Sequence, residues 1–348
     1  MIDNDATIAN IQAARTVNGV PPQQHQVPFR NMRHLLSLHA TTTPDRPFIV
    51  HYDGDDQREQ LSYSEFNAQV HQAAAFLYDD LGVRRGDRVA TIAYNHLDTV
   101  ILYFACWLIG AAVAPQNIAE DDRRIAFILR NSEAQVCFVR AEYLDRAETI
   151  IHGDDDGLGA ANVGQIVQMG GDPSDYYLHF TQEIANRPDT FMSADSDERP
   201  TLEDEALLVY TSGTTGAPKG VVLTQYNLLM DAQGIAQWQA ITGGQRLMCV
   251  LPIHHVNGIV MTIMTPLYVG GSTVLNRAYS SQHFWERIAR ENVQIVSVVP
   301  TLLQFSLEYA EQQEQAGKSI WGEGIAKSDL RRFRHLVCGA GTLAMSLA

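Results

Sequence analysis

Residues 210–220 read YTSGTTGAPKG, and their side chains suit one kind of chemistry. Gly213, Gly216 and Gly220 permit positive φ and let backbone N–H groups come close to ligand oxygens. Thr211, Ser212, Thr214 and Thr215 add four hydroxyl donors. Lys219 supplies one cation, and Pro218 stiffens the turn that presents it. Together these groups describe a cradle for two adjacent phosphates. A flexible glycine linker would share the small residues but would not need a lysine placed this way. The spacing is not that of the nucleoside-triphosphatase P-loop, G-x-x-x-x-G-K-[ST], because Pro218 precedes Lys219 and Gly220 follows it. A second glycine run, GAGTLA at 339–344, fits G-x-G-x-x-[GA]. The 348 residues end before the acidic ribose partner that a dinucleotide fold places roughly 20 positions on.

A phosphate loop needs rigid elements on either side. ALLVY at 206–210 runs into it and GVVLT at 220–224 leads away, both strand-like and apolar. Thr224 is placed to cap a helix over 225–240. The same alternation fills the rest of the chain. EQLSYSEF reads as a strand and then a helix capped by Ser64, with Phe66, Val70, Ala74 and Leu77 on one face. RVATIA, AAVAP, QVCFV, RLMCVLP, STVLN, VQIVSVVP and RHLVCGAG read as further strands. Helices are expected over 96–109, 121–131, 258–268, 283–290 and after Pro300. Apolar strands alternating with helices predict an α/β fold of parallel sheets covered on both faces, in two similar subdomains. Residues 152–205 are acidic and turn-rich and read as periphery. DDD at 154–156 lacks the alternating ligands and closing glutamate of a calcium loop. The expected organisation is an extension over 1–29, a first α/β subdomain over 30–205, and a second over 206–348 that carries the phosphate loop.

A net charge of −15 argues against a general nucleic-acid binder, which needs a basic face to neutralise a phosphate backbone. A single pocket can still hold a nucleotide. The four cysteines are widely separated and set among apolar residues, which predicts buried thiols and a reducing, cytoplasmic setting. The apolar run 100–114 is shorter than the ~20 residues that a bilayer requires and reads as a core helix rather than a transmembrane segment.

YTSGTTGAPKG resembles the phosphate-loop signature of the adenylate-forming, AMP-binding superfamily, which includes acyl-CoA synthetases, peptide-synthetase adenylation domains and luciferases. Other segments agree in the same order: LSYSEF, LGVRRGDRVATIAYN, GAAVAPQN, LPIHHVNG, SVVPTLL and CGAGTLA. The similarity runs from about residue 30 to the last residue. It implies ATP-dependent activation of a carboxylic acid to an acyl-adenylate, then thioester formation with CoA. An amino- or aryl-acid adenylation domain, or a catalytically incomplete nucleotide- or acyl-binding fragment, is the alternative.

The resemblance also implies roles for residues. Thr211, Ser212, Gly213, Thr214, Thr215, Gly216, Lys219 and Gly220 would hold the nucleotide phosphates, with Lys219 stabilising the leaving pyrophosphate. Thr211 would approach the Mg²⁺ that accompanies ATP, or act as a structural hydroxyl. His255 would stand at the wall between acyl group and phosphates, with Asn257 and Gly258 in the acyl pocket. Two core histidines at 254 and 255 that simply end a strand are the other reading. Gly339, Ala340 and Gly341 would pack against adenine and the acyl chain. Asn117, and the absence of an identifiable pocket aspartate, lean towards a CoA ligase acting on an apolar monocarboxylic acid. The family's magnesium glutamate, ribose aspartate, β-barrel and mobile C-terminal lid have no counterpart in these 348 residues. The expectation is therefore an N-terminal part, with self-association or a complementing C-terminal half as possible partners.

Overall fold

The computed structural model describes residues 26–54, 57–154, 157–191, 199–211, 218–321 and 327–342. Helix α1 (Met32–Thr42) precedes an antiparallel pair, β1 (Pro47–Asp53) and β2 (Gln57–Ser62). Helix α2 (Tyr63–Asp79) starts at Ser62, two residues before the expected cap. Glu65 decides this. Its N–H donates to Ser62 Oγ at 3.3 Å, and its carboxylate accepts the Ser62 N–H at 2.8 Å. The Ser64 hydroxyl is used elsewhere, donating to Pro44 O at 3.0 Å.

The chain then alternates through β3 (Arg88–Ile92), α3 (Leu97–Ile109), β4 (Ala112–Gln116), α4 (Asp122–Ser132), β5 (Val136–Arg140), α5 (Leu144–His152), β6 (Gln165–Met169), β7 (Leu178–His179) and α6 (Phe180–Ala185). It continues through β8 (Glu205–Thr211), β9 (Lys219–Thr224), α7 (Gln225–Trp238) and β10 (Arg246–Cys249). A π-helical stretch, Asn257–Met264, runs into α8 (Thr265–Val269). The last elements are β11 (Ser272–Asn276), α9 (Ser281–Arg290), β12 (Ile295–Val298), α10 (Pro300–Gln315) and β13 (His335–Cys338).

Two sheets result. The seven-stranded sheet has the order β7-β6-β5-β3-β4-β8-β9, and the six-stranded sheet has the order β13-β12-β10-β11-β1-β2. Both are parallel except at one edge, where β9 runs antiparallel to β8 and β2 antiparallel to β1. Sheet membership does not divide the chain at residue 205. The six-stranded sheet takes β1 and β2 from the front of the chain, and the seven-stranded sheet takes β8 and β9 from beyond 204. Strand β6 lies inside the seven-stranded sheet, although its surroundings read as periphery.

Helix α3 is the apolar run expected to be core, and all but one of its thirteen residues are buried. Phe104 packs edge-on against Phe66 and Trp107. The Trp107 indole N–H donates to Ala206 O at 2.7 Å, and Gln225 donates to Trp107 O at 2.8 Å. These contacts tie α3 to β8 and α7. Among the described residues, no helix is long and apolar enough to cross a membrane.

In each sheet one strand has its sequence successors on opposite sides: β3 lies between β4 and β5, and β10 lies between β11 and β12. Such switch points open a crevice beyond the carboxyl ends of the strands. Here the two crevices meet, and Asn95, 4% exposed and just beyond β3, joins them. Its amide donates to Leu251 O at 2.9 Å and Asn276 O at 3.1 Å, and its carbonyl accepts the Ile253 N–H at 2.8 Å. All three partners lie at the carboxyl side of β10 and β11. Asn95→Ala strips three buried backbone groups of their partners, so unfolding free energy should fall by about 2–4 kcal/mol. Urea titration measures this; a change below about 1 kcal/mol would show that the crevices are joined by something else.

Candidate functional site

The phosphate-loop motif forms the β8–β9 hairpin. Thr211 pairs with Lys219 and Tyr210 with Gly220. Ser212, Gly213, Thr214, Thr215 and Gly216 lie outside the described residues. Strand β8 runs parallel to β4, so its carboxyl end emerges on the same sheet edge as the ends of β3 and β4. The hairpin therefore starts from the side of the sheet that carries the crevice. Thr211 and Lys219 are both exposed, and among the described residues no carboxylate pairs with the Lys219 ammonium. Gly220 has a packing reason for its small size. A Cβ there would sit 2.9 Å from Cζ of Tyr210, whose hydroxyl donates to Asn131 Oδ1 at 2.8 Å. Its φ is not positive.

A cavity of about 510 Å³ fills the meeting of the crevices. Tyr94, Asn95 and Asn117 line it from the seven-stranded sheet, and His254, Arg277 and Tyr279 from the six-stranded one. Arg277 is already neutralised. It reaches Asp53 at 3.1 Å and Glu142 at 3.2 Å, with its guanidinium over the Tyr94 ring. The His254 ring lies 4.3 Å from that of His255, tilted by 58°. Burial, then the neighbouring His255, pushes the His254 imidazole down to about 4, so it is neutral at physiological pH. Of the two histidines, His254 faces this cavity, whereas His255 is exposed. Burial also lowers the His255 value, and Glu120 opposes that shift.

A second cavity, of about 500 Å³, lies between α7, the π-helical stretch and the ends of β12 and β13. Ile235, Val256, Val260, Met261 and Val337 give it apolar walls, and Gly339 lies at its edge. Asn257 also lines it and accepts a hydrogen bond from Ser297 Oγ at 2.7 Å. Gly258 does not line it. A Cβ at Gly258 would lie 2.2 Å from Pro252 O, so this glycine lets the helix start against the preceding turn. Thr262 and Thr265 donate to Gly258 O and Val260 O, which supports the wide helical winding. Such π-helical segments are rare and are frequent at functional sites. Ala340, on the last glycine turn, holds φ at +58°, a left-handed conformation that costs a non-glycine residue about 1–2 kcal/mol. Gly341 is exposed beside Pro300.

Asp231 was missed in the sequence. It lines the second cavity, and although the residue is exposed to solvent, partial desolvation against the cavity wall raises its carboxyl pKa; no hydrogen-bond or ion-pair partner is present among the described residues. The signal was helical spacing: Asp231, Gly234, Ile235 and Trp238 recur at three and four residues along α7 and line the same cavity.

The family model described as AMP-binding enzyme matches residues 36–348. Among curated relatives, a sulfoacetate–CoA ligase of Cupriavidus necator is 27% identical over 293 residues, covering 83% of this chain and 53% of the relative. A crotonobetaine/carnitine–CoA ligase of Citrobacter koseri is 28% identical over 282 residues, covering 79% of this chain and 52% of the relative. The chain thus spans about half the length of the curated relatives it matches. Among solved structures, the anthranilate CoA ligase AuaEII in complex with anthranoyl-AMP superimposes with a TM-score of 0.76 at 22% identity, over 92% of this chain and 57% of that one. The N-terminal domain of FACL13 from Mycobacterium tuberculosis gives 0.75 at 23% identity, over 92% and 72%. At these identities the solved structures show a shared fold.

The neutral His254 makes the fold acid-sensitive. It titrates at about 4 when folded and near 6.5 when unfolded, so between those values only the unfolded chain takes the proton. Its contribution is complete above pH 6.5 and is lost as pH falls towards 4, at up to about 1.4 kcal/mol per pH unit. Urea midpoints measured from pH 7.5 to 4.5 should fall less steeply for His254→Gln than for the parent chain. Identical slopes would contradict a buried neutral imidazole.

Proposed function

The chain belongs to the AMP-binding enzyme family, and from that premise we propose that these residues serve ATP-dependent activation of a carboxylic acid to an acyl-adenylate, with CoA as the thiol acceptor. The observation that carries this reading is the placement of the β8–β9 hairpin on the sheet edge that carries the crevice. Lys219 and the hairpin hydroxyls would receive the β- and γ-phosphates, where charge builds on the leaving pyrophosphate. Mg²⁺ enters with ATP as part of the substrate, and the exposed Thr211 hydroxyl is free to approach it. Gly339, Ala340 and Gly341 would carry the adenine, and the second cavity would take the acyl group. His255, Val256 and Asn257 form the turn that leads from one cavity to the other.

The walls of the second cavity support an acid with a largely apolar body, fatty or aryl, bearing one carboxylate. Asp231 disfavours a second carboxylate by like-charge repulsion. It also gives a second reading its support: an acid that carries an amino group, paired with Asp231. Exposed Val221 and Val222 on edge strand β9, and Trp238, 87% exposed at the cavity rim, support self-association or cover by a complementing segment. Buried free thiols at Cys106, Cys137 and Cys249 suit a reducing cytoplasm.

Two measurements test the reading. In the 348-residue chain, Lys219→Ala should weaken ATP binding roughly tenfold to a hundredfold, the worth of a charge-assisted contact of ~1.5–3 kcal/mol, and weaken AMP binding far less. Equal losses for both nucleotides would remove Lys219 from the phosphates. In a chain that carries the family's later motifs as well, acid-dependent ATP–pyrophosphate exchange should favour apolar monocarboxylates, and His255→Ala should change rate or selectivity without unfolding. Preference for dicarboxylates would overturn the pocket assignment. Preference for amino acids, lost in Asp231→Asn, would establish the second reading.

A further inference from the structure

A cluster outside both cavities has chemistry of its own. His51 and Asp53 are two residues apart on β1 and therefore share a face of the strand. His96, at the start of α3, meets that face, with its ring centroid 4.5 Å from that of His51. The donor atoms of His51, Asp53 and His96 all lie within 4.8 Å of one another. His51 is 1% exposed, yet neither of its ring nitrogens has a hydrogen-bond partner. A buried imidazole left this way loses its hydration without compensation, and such groups call for a ligand.

A plain ion pair does not account for the cluster. A protonated His96 between Asp53 and Asp98 would satisfy both carboxylates and leave His51 with nothing. The arrangement around the three donors is that of a ligand set with its supports. Arg277 occupies Oδ1 of Asp53, and Oδ2 faces His96 Nε2 at 3.8 Å. On the other side of the His96 ring, Nδ1 is 3.3 Å from Asp98 Oδ2, and Arg140 holds the same carboxylate oxygen at 3.1 Å. A carboxylate behind a histidine is the usual support of a metal-ligating imidazole: it takes the N–H and leaves the far nitrogen with its lone pair for the ion.

We propose that His51, Asp53 and His96 bind a divalent transition cation of the zinc class, which clamps β1 of the six-stranded sheet to the β3–α3 connection of the seven-stranded one. Two imidazoles and one carboxylate suit zinc and its neighbours, whereas magnesium prefers an all-oxygen set. Donors around a tetrahedral zinc stand roughly 3.4 Å apart for bonds of about 2.1 Å, so no donor pair has to close by more than about 1.4 Å when the ion enters. In the free chain Nδ1 of His96 accepts the Asp98 N–H at 3.1 Å. Loading shifts the ring proton to Nδ1, towards the Asp98 carboxylate. Three protein donors leave one position for water on the side where the His96 and Asp53 side chains are 12% and 23% exposed.

The test is titration of the chelator-treated 348-residue chain with Co²⁺ followed by visible absorption, then displacement with Zn²⁺. One equivalent should give a tetrahedral ligand-field band that zinc removes. His96→Ala and, separately, His51→Ala should each weaken binding tenfold or more, and Asp98→Asn about tenfold. Circular dichroism checks that each variant is folded; His96→Ala, at a partly exposed helix start, keeps the test open if His51→Ala does not fold. Zinc should raise the melting midpoint of the parent chain and not that of His96→Ala. Absence of a band in the parent chain, or a band retained undiminished in folded His96→Ala, would overturn the proposal and leave a bare histidine–carboxylate cluster.

Discussion

The meeting of two parallel-sheet crevices is the constraint on which the rest of the structure depends. A crevice at a switch point is an open groove when a sheet stands alone. Here the carboxyl ends of β3 and β4 meet those of β10 and β11, and the Asn95 amide is bonded across the join on both its donor and its acceptor side. Asn276 extends the join. It donates to Cys249 O at 3.0 Å and accepts from Arg287 at 2.7 Å. Buried amides of this kind hold register because each must find all its partners at once. The cavity wall formed by Tyr94, Asn117, His254 and Tyr279 exists because the join fixes both sheets relative to it.

Charges tie the six-stranded sheet together from within. Glu291 is buried, yet it accepts from Tyr52 and Arg58 and pairs with Arg246, which hold its carboxyl below the ordinary value against the opposing effect of burial. These contacts lock β1, β2 and β10 to the end of α9. The functional candidates have the opposite character. Lys219 and Thr211 are exposed on an edge hairpin, Asp231 is unpaired, and Ala340 holds an unfavourable φ. Rigid joins sit behind the site, and groups with unmet bonding capacity face the openings, where a ligand can satisfy them.

Much of this was legible in the sequence. The strand pattern gave an α/β fold, the helix expected over 96–109 is α3, beyond which the apolar run 100–114 turns at Gly110 into β4, and Thr224 caps α7 where its spacing with the next helix predicts. YTSGTTGAPKG located the hairpin and led to the family. Other features were hidden because they depend on non-local contacts. Nothing local in PFIVHYD tells that β1, with its hairpin partner β2, joins a sheet otherwise built from residues beyond 245. QIVQM is a good strand inside an acidic stretch, and composition masked it. Gly220 and Gly258 suggested ligand contact because glycine permits close approach, but the atoms that approach them are Tyr210 and Pro252. His51 and His96 stand 45 positions apart in sequence and touch only because the sheets are joined.

The central claim is that the β8–β9 hairpin and the 339–341 turn together hold a nucleotide beside the second cavity. The most direct measurement is a crystal structure of the 348-residue chain with a non-hydrolysable ATP analogue. The account predicts triphosphate density over residues 211–219 within reach of the Lys219 ammonium, and the base against Gly339, Ala340 and Gly341. A nucleotide bound elsewhere, with its phosphates away from Lys219, would contradict it.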